Sequence, residues 1–396
     1  MTTTNPQPQP TLALFCKVID NFGDIGICWR LARQLRHEHQ IAVTLWVDDF
    51  TSFRRLCPAV CEAADEQHVD GVTVRRWQGD FSTFTAGDVA DFVIEFFGCD
   101  IPPAYLAAMA ARMPSPVWLN LEGLSAEEWV EGCHTLPSPH GQFSLTKHFF
   151  FPGFTPRTGG LLRESALLAQ RALFQEDSSI SAHFLRTLGL TTAEIASFKV
   201  SLFCYPHAPV ADLFDVWQAS DTPTICLVPE GVVSATLQTY FGAEIKLGTV
   251  LSRGALTVRI LPFLAQPLYD QLLWSCDLNF VRGEDSFVRA QWANRPFVWH
   301  IYPQDKNLHH VKLNAFLARY ASGSNNLEGL FKGWNGVGHS HSSATVDWAS
   351  LWAGCLNDLP KITQRNTEWQ QLLLANGDLA STLMRFAAGL RVEASK

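Results

Sequence analysis

The chain reads as an α/β protein of two doubly wound, Rossmann-like halves facing each other across a cleft. Three observations predict this. Strand-length apolar runs alternate with segments of helical spacing from Leu12 to Leu121, and the alternation begins again near Lys199. The 396 residues, 47% apolar and only 17% charged, suffice to bury a core in each half.

The first ten residues, Met1 to Pro10, are polar and Pro-rich with no basic leader, so a disordered tail and a cytoplasmic chain are expected. Leu12 to Val18 has the continuous apolar character of a strand buried on both faces, Asp20 to Gly26 that of a loop, and Cys28 to His37 helical spacing. Strands are expected again at 41–47, 72–77, 91–97 and 117–121. The Pro-, Gly- and Phe-rich stretch 137–160 reads as a long functional loop. In the second half, strands are expected at 200–205, 224–228, 256–261, 277–281 and 296–301, with helices at 210–219 and 267–276. A last helical segment, about 365–391, has an amphipathic pattern that suits packing back onto the first half.

Charge and absent motifs narrow the function. A net charge of -8, from 30 Lys and Arg against 38 Asp and Glu, provides no footprint for nucleic acid or an anionic membrane. No apolar run reaches the length of a membrane span. Gly-x-Gly-x-x-Gly, a Gly-Lys-Ser/Thr loop and Asp-x-Asp are all missing, so no dinucleotide fingerprint, P-loop or metal-diphosphate pair is present. Most of the ten cysteines, among them Cys16, Cys204, Cys226 and Cys276, sit in apolar runs as buried thiols do. Cys57 and Cys61 lack a second pair at metal-ligand spacing, and His339 and His341 read as part of a solvated Gly/Ser loop.

Open doubly wound sheets bind ligands beyond the carboxyl ends of their strands, which directs attention to two loops. The first carries Asp20 and Asp24 around Asn21, Phe22 and Gly23. Its acids either end the strand and cap the helix, or supply a general base. The second is Arg282-Gly283-Glu284-Asp285-Ser286, running into a helix whose opening N-H groups and neighbouring Arg suit a diphosphate, with Asp285 or Ser286 as an ordinary cap in the alternative. Glu284 beside a phosphate would be repelled, so a functional Glu284 should face sugar hydroxyls. Phe203 and Tyr205 end the first strand of the second half, Phe263 and Gln266 lie just past the strand 256–261, and together they suit a planar base, although each taken singly is a core residue. Trp29, Trp217 and Trp292 fall inside expected elements and read as packing.

DNFGDIG near the amino terminus, RGEDSFVRAQ and WHIYPQ together resemble the protein-arginine rhamnosyltransferases that mature bacterial translation elongation factor P. VDD at Val47 to Asp49, LNLEGLSAEEW at Leu119 to Trp129, and the PSP and GGLLRE segments extend the likeness over nearly the whole chain. The resemblance implies the GT-B glycosyltransferase fold, with an acceptor-binding domain at 11–190, a nucleotide-sugar domain at 191–364 and a terminal helix at 365–396. It implies inverting transfer of L-rhamnose from dTDP-β-L-rhamnose to an arginine of elongation factor P, with no cofactor and no metal. Asp24 matches the family's general base and Asp20 a second required acid. Phe263 matches the residue that stacks on thymine, Gln266 one that reads its edge, and Tyr205 a donor-pocket residue. Arg282, Glu284, Asp285 and Ser286 match the donor loop, with Asn21, Phe22, Gly23 and Gly283 as neighbours. The sequence by itself also admits a different nucleotide sugar or acceptor, or a non-catalytic nucleotide-binding partner of a translation factor.

Overall fold

The computed structural model describes residues 9–78, 83–321, 323–337 and 346–394. The expected tail falls largely, and His339 and His341 wholly, outside the described residues. The chain divides into two units, one of residues 1–165 with 373–396 and the other of 166–372.

The first unit holds an eight-stranded sheet of β1 (Thr11–Cys16), β2 (Ala42–Val47), β3 (Glu66–Val69), β4 (Val72–Arg76), β5 (Phe92–Phe96), β6 (Val117–Leu121), β7 (Pro137–Pro139) and β8 (Thr146–Phe150) in the order β3-β4-β2-β1-β5-β6-β8-β7. Six strands are parallel, and the edge strands β3 and β7 run antiparallel to β4 and β8. β1 is buried from Leu12 to Cys16 because helices cover both faces, which is why it reads as an unbroken apolar run. The stretch 137–160 is therefore not one long loop: β7 and β8 form a hairpin at the sheet edge. The order reverses between β1 and β5, so the loop after β1 lies at the switch point of this sheet.

The second unit holds β9 (Phe198–Leu202), β10 (Thr224–Pro229), β11 (Val250–Arg253), β12 (Leu256–Leu261), β13 (Leu278–Arg282) and β14 (Phe297–His300), ordered β11-β12-β10-β9-β13-β14. Only β11 is antiparallel. Here the reversal falls between β9 and β13, which places the ends of both strands at the switch point.

Both domain boundaries differ from the sequence reading. Residues 166–190 belong to the second unit, because helices Leu167–Glu176 and Ser178–Thr187 pack on helix Gln266–Ser275. Phe174 meets Trp274 edge-on at 5.5 Å, and Arg171 binds the Trp292 carbonyl and the Gln370 amide. The terminal segment is two helices, Trp348–Ala375 and Leu379–Ala394, broken at Gly377 (φ +78°). Only the part from 373 belongs to the first unit, where Leu379 N-H donates to Leu161 O (3.0 Å) and Asn376 Nδ2 to Phe154 O (2.9 Å). Among the described residues no helix is long and apolar enough to cross a membrane.

One buried ion pair ties together the two helices that open toward the second switch point. The guanidinium of Arg289, on helix Asp285–Ala293, forms a bidentate pair with Asp270, on helix Gln266–Ser275, at 2.9 and 2.7 Å with both side chains buried. Arg289→Met is expected to cost about 3–5 kcal/mol in urea unfolding, since it strands a buried carboxylate, whereas Asp270→Leu with Arg289→Met should recover most of the loss.

Candidate active site

Asp24 sits in the first turn of helix Gly23–Glu38, which begins four residues earlier than the loop reading of Asp20 to Gly26 allows. It is not a helix cap. Its buried carboxylate turns back onto the loop, and Oδ2 accepts the backbone N-H groups of Ile19 (2.7 Å) and Asp20 (2.8 Å). Oδ1 takes no hydrogen bond from a described residue. Burial pushes the Asp24 carboxyl above its ordinary range; the two N-H groups oppose this, and the charges of Asp20 and Asp48 add to it. An anchored carboxylate with one open oxygen and raised basicity has the form of a general base.

Asp20 is held close by the glycine that follows it. A Cβ on Gly23 would lie 2.8 Å from Asp20 Oδ2, so only glycine lets this carboxylate fold over the helix start. Asn21, at φ +21°, makes the turn, and Arg55 lies over the Phe22 ring at 5.6 Å. Asp48 and Asp49, two acids of the VDD segment, have local partners: Asp48 accepts Val18 N-H at 2.9 Å, and Asp49 caps helix Phe50–Leu56 through the N-H groups of Thr51 and Ser52.

In the second unit, β13 ends on Arg282, and Gly283 turns the chain at φ +61°, a left-handed conformation that favours glycine. Trp299 fixes that turn: its Nε1 donates to Gly283 O at 2.6 Å while its ring stacks on Phe287 at 3.9 Å. Glu284 is the N-cap of helix Asp285–Ala293 but makes no capping bond through its side chain, so neither Asp285 nor Ser286 caps it. Ser286 Oγ instead closes back on Arg282, accepting its N-H (3.0 Å) and donating to its carbonyl. The N-H groups of Asp285 and Ser286 are in the first turn, where no intrahelical acceptor exists, and they carry the positive end of the helix dipole.

The Arg282 guanidinium is sandwiched between the Phe203 and Tyr205 rings, 4.5 and 4.7 Å from their centroids, and Nη1 donates to Cys204 O at 3.2 Å. Half-buried Phe263 meets Phe203 edge-on at 6.5 Å. Buried Gln266, at the start of its helix, donates to Asp285 Oδ2 at 3.3 Å and so joins the aromatic end of the site to the helix start. Tyr205, Phe263, Gln266, Arg282, Gly283, Glu284, Asp285 and Ser286 thus gather around the carboxyl ends of β9, β12 and β13. Asp20, Asn21, Phe22, Gly23 and Asp24 gather at the end of β1.

Sequence reasoning passed over His207 and His300. Buried His300 ends β14, its Nε2 lies 3.0 Å from His207 Nε2, and its ring meets Tyr205 at 5.2 Å. A histidine inside an apolar strand, as in FVWHI, is the signal that was available. Among the described residues, no group of three or more His, Cys, Asp or Glu side chains is arranged to hold a metal ion.

The family model described as Elongation-Factor P (EF-P) rhamnosyltransferase EarP matches residues 12–388. A protein-arginine rhamnosyltransferase of Pseudomonas putida is 46% identical over 384 residues, covering 96% of this chain and 98% of that protein. The protein-arginine rhamnosyltransferase of Pseudomonas aeruginosa is 44% identical over 381 residues, with 95% and 98% coverage. A solved structure described as the structural basis for EarP-mediated arginine glycosylation of translation elongation factor EF-P aligns at a TM-score of 0.66 and 35% identity, covering 96% of this chain and 99% of that one. The two parallel-sheet, Rossmann-like units are those of the GT-B glycosyltransferase fold. With the match running through both loops and nearly the whole chain, this protein belongs to the EarP family of elongation factor P rhamnosyltransferases.

Proposed function

We propose that the chain is a cytoplasmic, inverting protein-arginine rhamnosyltransferase that moves L-rhamnose from dTDP-β-L-rhamnose to an arginine side chain of translation elongation factor P. The observation that carries this reading is Asp24, whose Oδ2 is tied down by two backbone N-H groups while Oδ1 takes no hydrogen bond from a described residue. A guanidinium with a pKa above about 12 is protonated, and its nitrogen lone pairs are delocalised. Asp24, with Asp20, pairs with the incoming arginine and aims one nitrogen at the anomeric carbon. The nitrogen acidifies as it bonds to carbon, so the proton passes to Oδ1 late, and a carboxylate made more basic by burial is better suited to take it.

On the leaving side, the C-O bond to the diphosphate breaks as the C-N bond forms. Arg282 and the first-turn N-H groups of helix Asp285–Ala293 neutralise the charge that develops, in preset geometry and without an obligatory metal. Phe263 and Gln266 take the thymine, and Glu284 faces sugar hydroxyls. In-line displacement requires base and leaving group on opposite faces of the sugar.

The test is the intact mass of unmodified elongation factor P after incubation with the protein and dTDP-L-rhamnose in EDTA. Addition of one deoxyhexose is expected; an unchanged mass overturns the reading. Gly23→Ala gives a finer test. The new Cβ displaces the flexible Asp20 carboxylate and leaves the helix intact. Thermal unfolding should therefore stay near wild type while transfer falls on the order of 10²-fold, as a misplacement of about 1 Å can cost. Wild-type turnover in this variant would remove Asp20 from the mechanism.

A further inference from the structure

The ends of three adjacent strands, β9, β13 and β14, bring a histidine pair beside the Arg282 stack. Hydrogen bonding fixes where its protons sit. His300 Nδ1 lies 3.2 Å from the backbone N-H of Tyr205, which can only donate, so this nitrogen carries no proton. The His300 proton is therefore on Nε2, and it is donated to His207 Nε2 at 3.0 Å. That bond leaves His207 Nε2 as an acceptor and places the His207 proton on Nδ1. Burial pushes His300 down to about 3, with repulsion from His207 and Arg282 adding to it, which keeps the buried ring neutral and this pattern intact.

His207 is exposed, and its ring lies parallel to Tyr205, 6.0 Å between centroids and 4° between planes. Tyr205 in turn carries the Arg282 guanidinium at 4.7 Å. His207 Nδ1 makes no hydrogen bond to a described residue. A buried histidine thus orients an exposed one so that an N-H donor is left open at the Tyr205 ring, the same ring that carries the Arg282 guanidinium. An anionic oxygen fits that combination of donors.

We propose that His207 is a further donor-site residue, its Nδ1-H hydrogen-bonding a phosphate oxygen of the nucleotide diphosphate, and that His300 is the positioning residue that sets its tautomer. The inference rests on the donor-site reading given above. It assigns His207 to the same anion as Arg282, as an uncharged donor that sets no second full positive charge beside the guanidinium.

The test is calorimetric titration of dTDP into the full chain and three variants. An asparagine amide places its N-H where Nδ1-H was, whereas a glutamine amide reaches toward the Nε2 position. His207→Ala and His207→Gln should weaken dTDP binding by about tenfold or more, the usual worth of a hydrogen bond to a charged group, while His207→Asn stays within about threefold of wild type. Wild-type affinity in His207→Ala, or a loss in His207→Asn as large as in His207→Ala, overturns the inference and leaves the proposed function standing. Failure of the wild-type protein to bind dTDP overturns the donor assignment and this inference together.

Discussion

Asp24→Asn is expected to reduce rhamnosyl transfer by about 10²–10⁴-fold, the ordinary contribution of a general base, while the protein folds at least as well as wild type. The stability half follows from burial. The folded-state pKa of Asp24 is raised above its ordinary value of 3.8. A raised carboxyl favours the folded protein only while it is protonated, and that contribution is lost as pH rises through the folded value. At neutral pH the buried, ionised group costs stability. Asparagine keeps an oxygen for the N-H groups of Ile19 and Asp20 and removes the charge. The variant's gain in urea unfolding should therefore be absent below about pH 3.8, appear as pH rises through the folded pKa and persist at neutral pH. Intact-mass initial rates at saturating donor, beside unfolding curves at several pH values, check both halves. A variant that transfers rhamnose at more than about a tenth of the wild-type rate has kept its base, and Asp24 is then not it.

Arg282→Met should lower kcat by about 10²–10³-fold, the loss typical of one preorganised charge-stabilising donor, because the departing diphosphate loses its fixed cation. Arg282→Lys should recover little of this. The guanidinium is planar and fills the space between Phe203 and Tyr205, 4.5 and 4.7 Å from their centroids, while donating to Cys204 O. An ammonium keeps the charge but neither stacks flat nor holds that carbonyl in the same geometry. Single-turnover rates at saturating dTDP-rhamnose separate chemistry from donor affinity. If the methionine variant turns over within tenfold of wild type, leaving-group stabilisation rests on the helix start rather than on Arg282.

The acids and the donor loop were legible because each lies within a few residues of a strand end, where a local signal suffices. Asp20, Gly23 and Asp24 follow β1, and Arg282 to Ser286 follow β13. What the residues do there was less legible. Asp24 looks like a helix cap in sequence, and only its turn back onto Ile19 and Asp20 distinguishes it from one. His300 was invisible as a site residue, since its partners, Tyr205 and His207, are more than ninety residues away.

The sequence alone determined the alternation of elements. Val117–Leu121 and Leu256–Leu261 appear as strands with the expected bounds because an apolar run bounded by turn residues is local information. It left the short polar edges undecided. β7 is three residues, Pro137–Pro139, and becomes a strand only because β8 offers it an antiparallel partner. Tertiary structure also decided which unit holds residues 166–190 and where the terminal segment passes from one unit to the other, through Phe174 on Trp274 and Leu379 on Leu161. Periodicity marks which face of a helix is apolar, but the core that face enters is chosen by complementary shape and by buried hydrogen bonds between residues far apart in the chain.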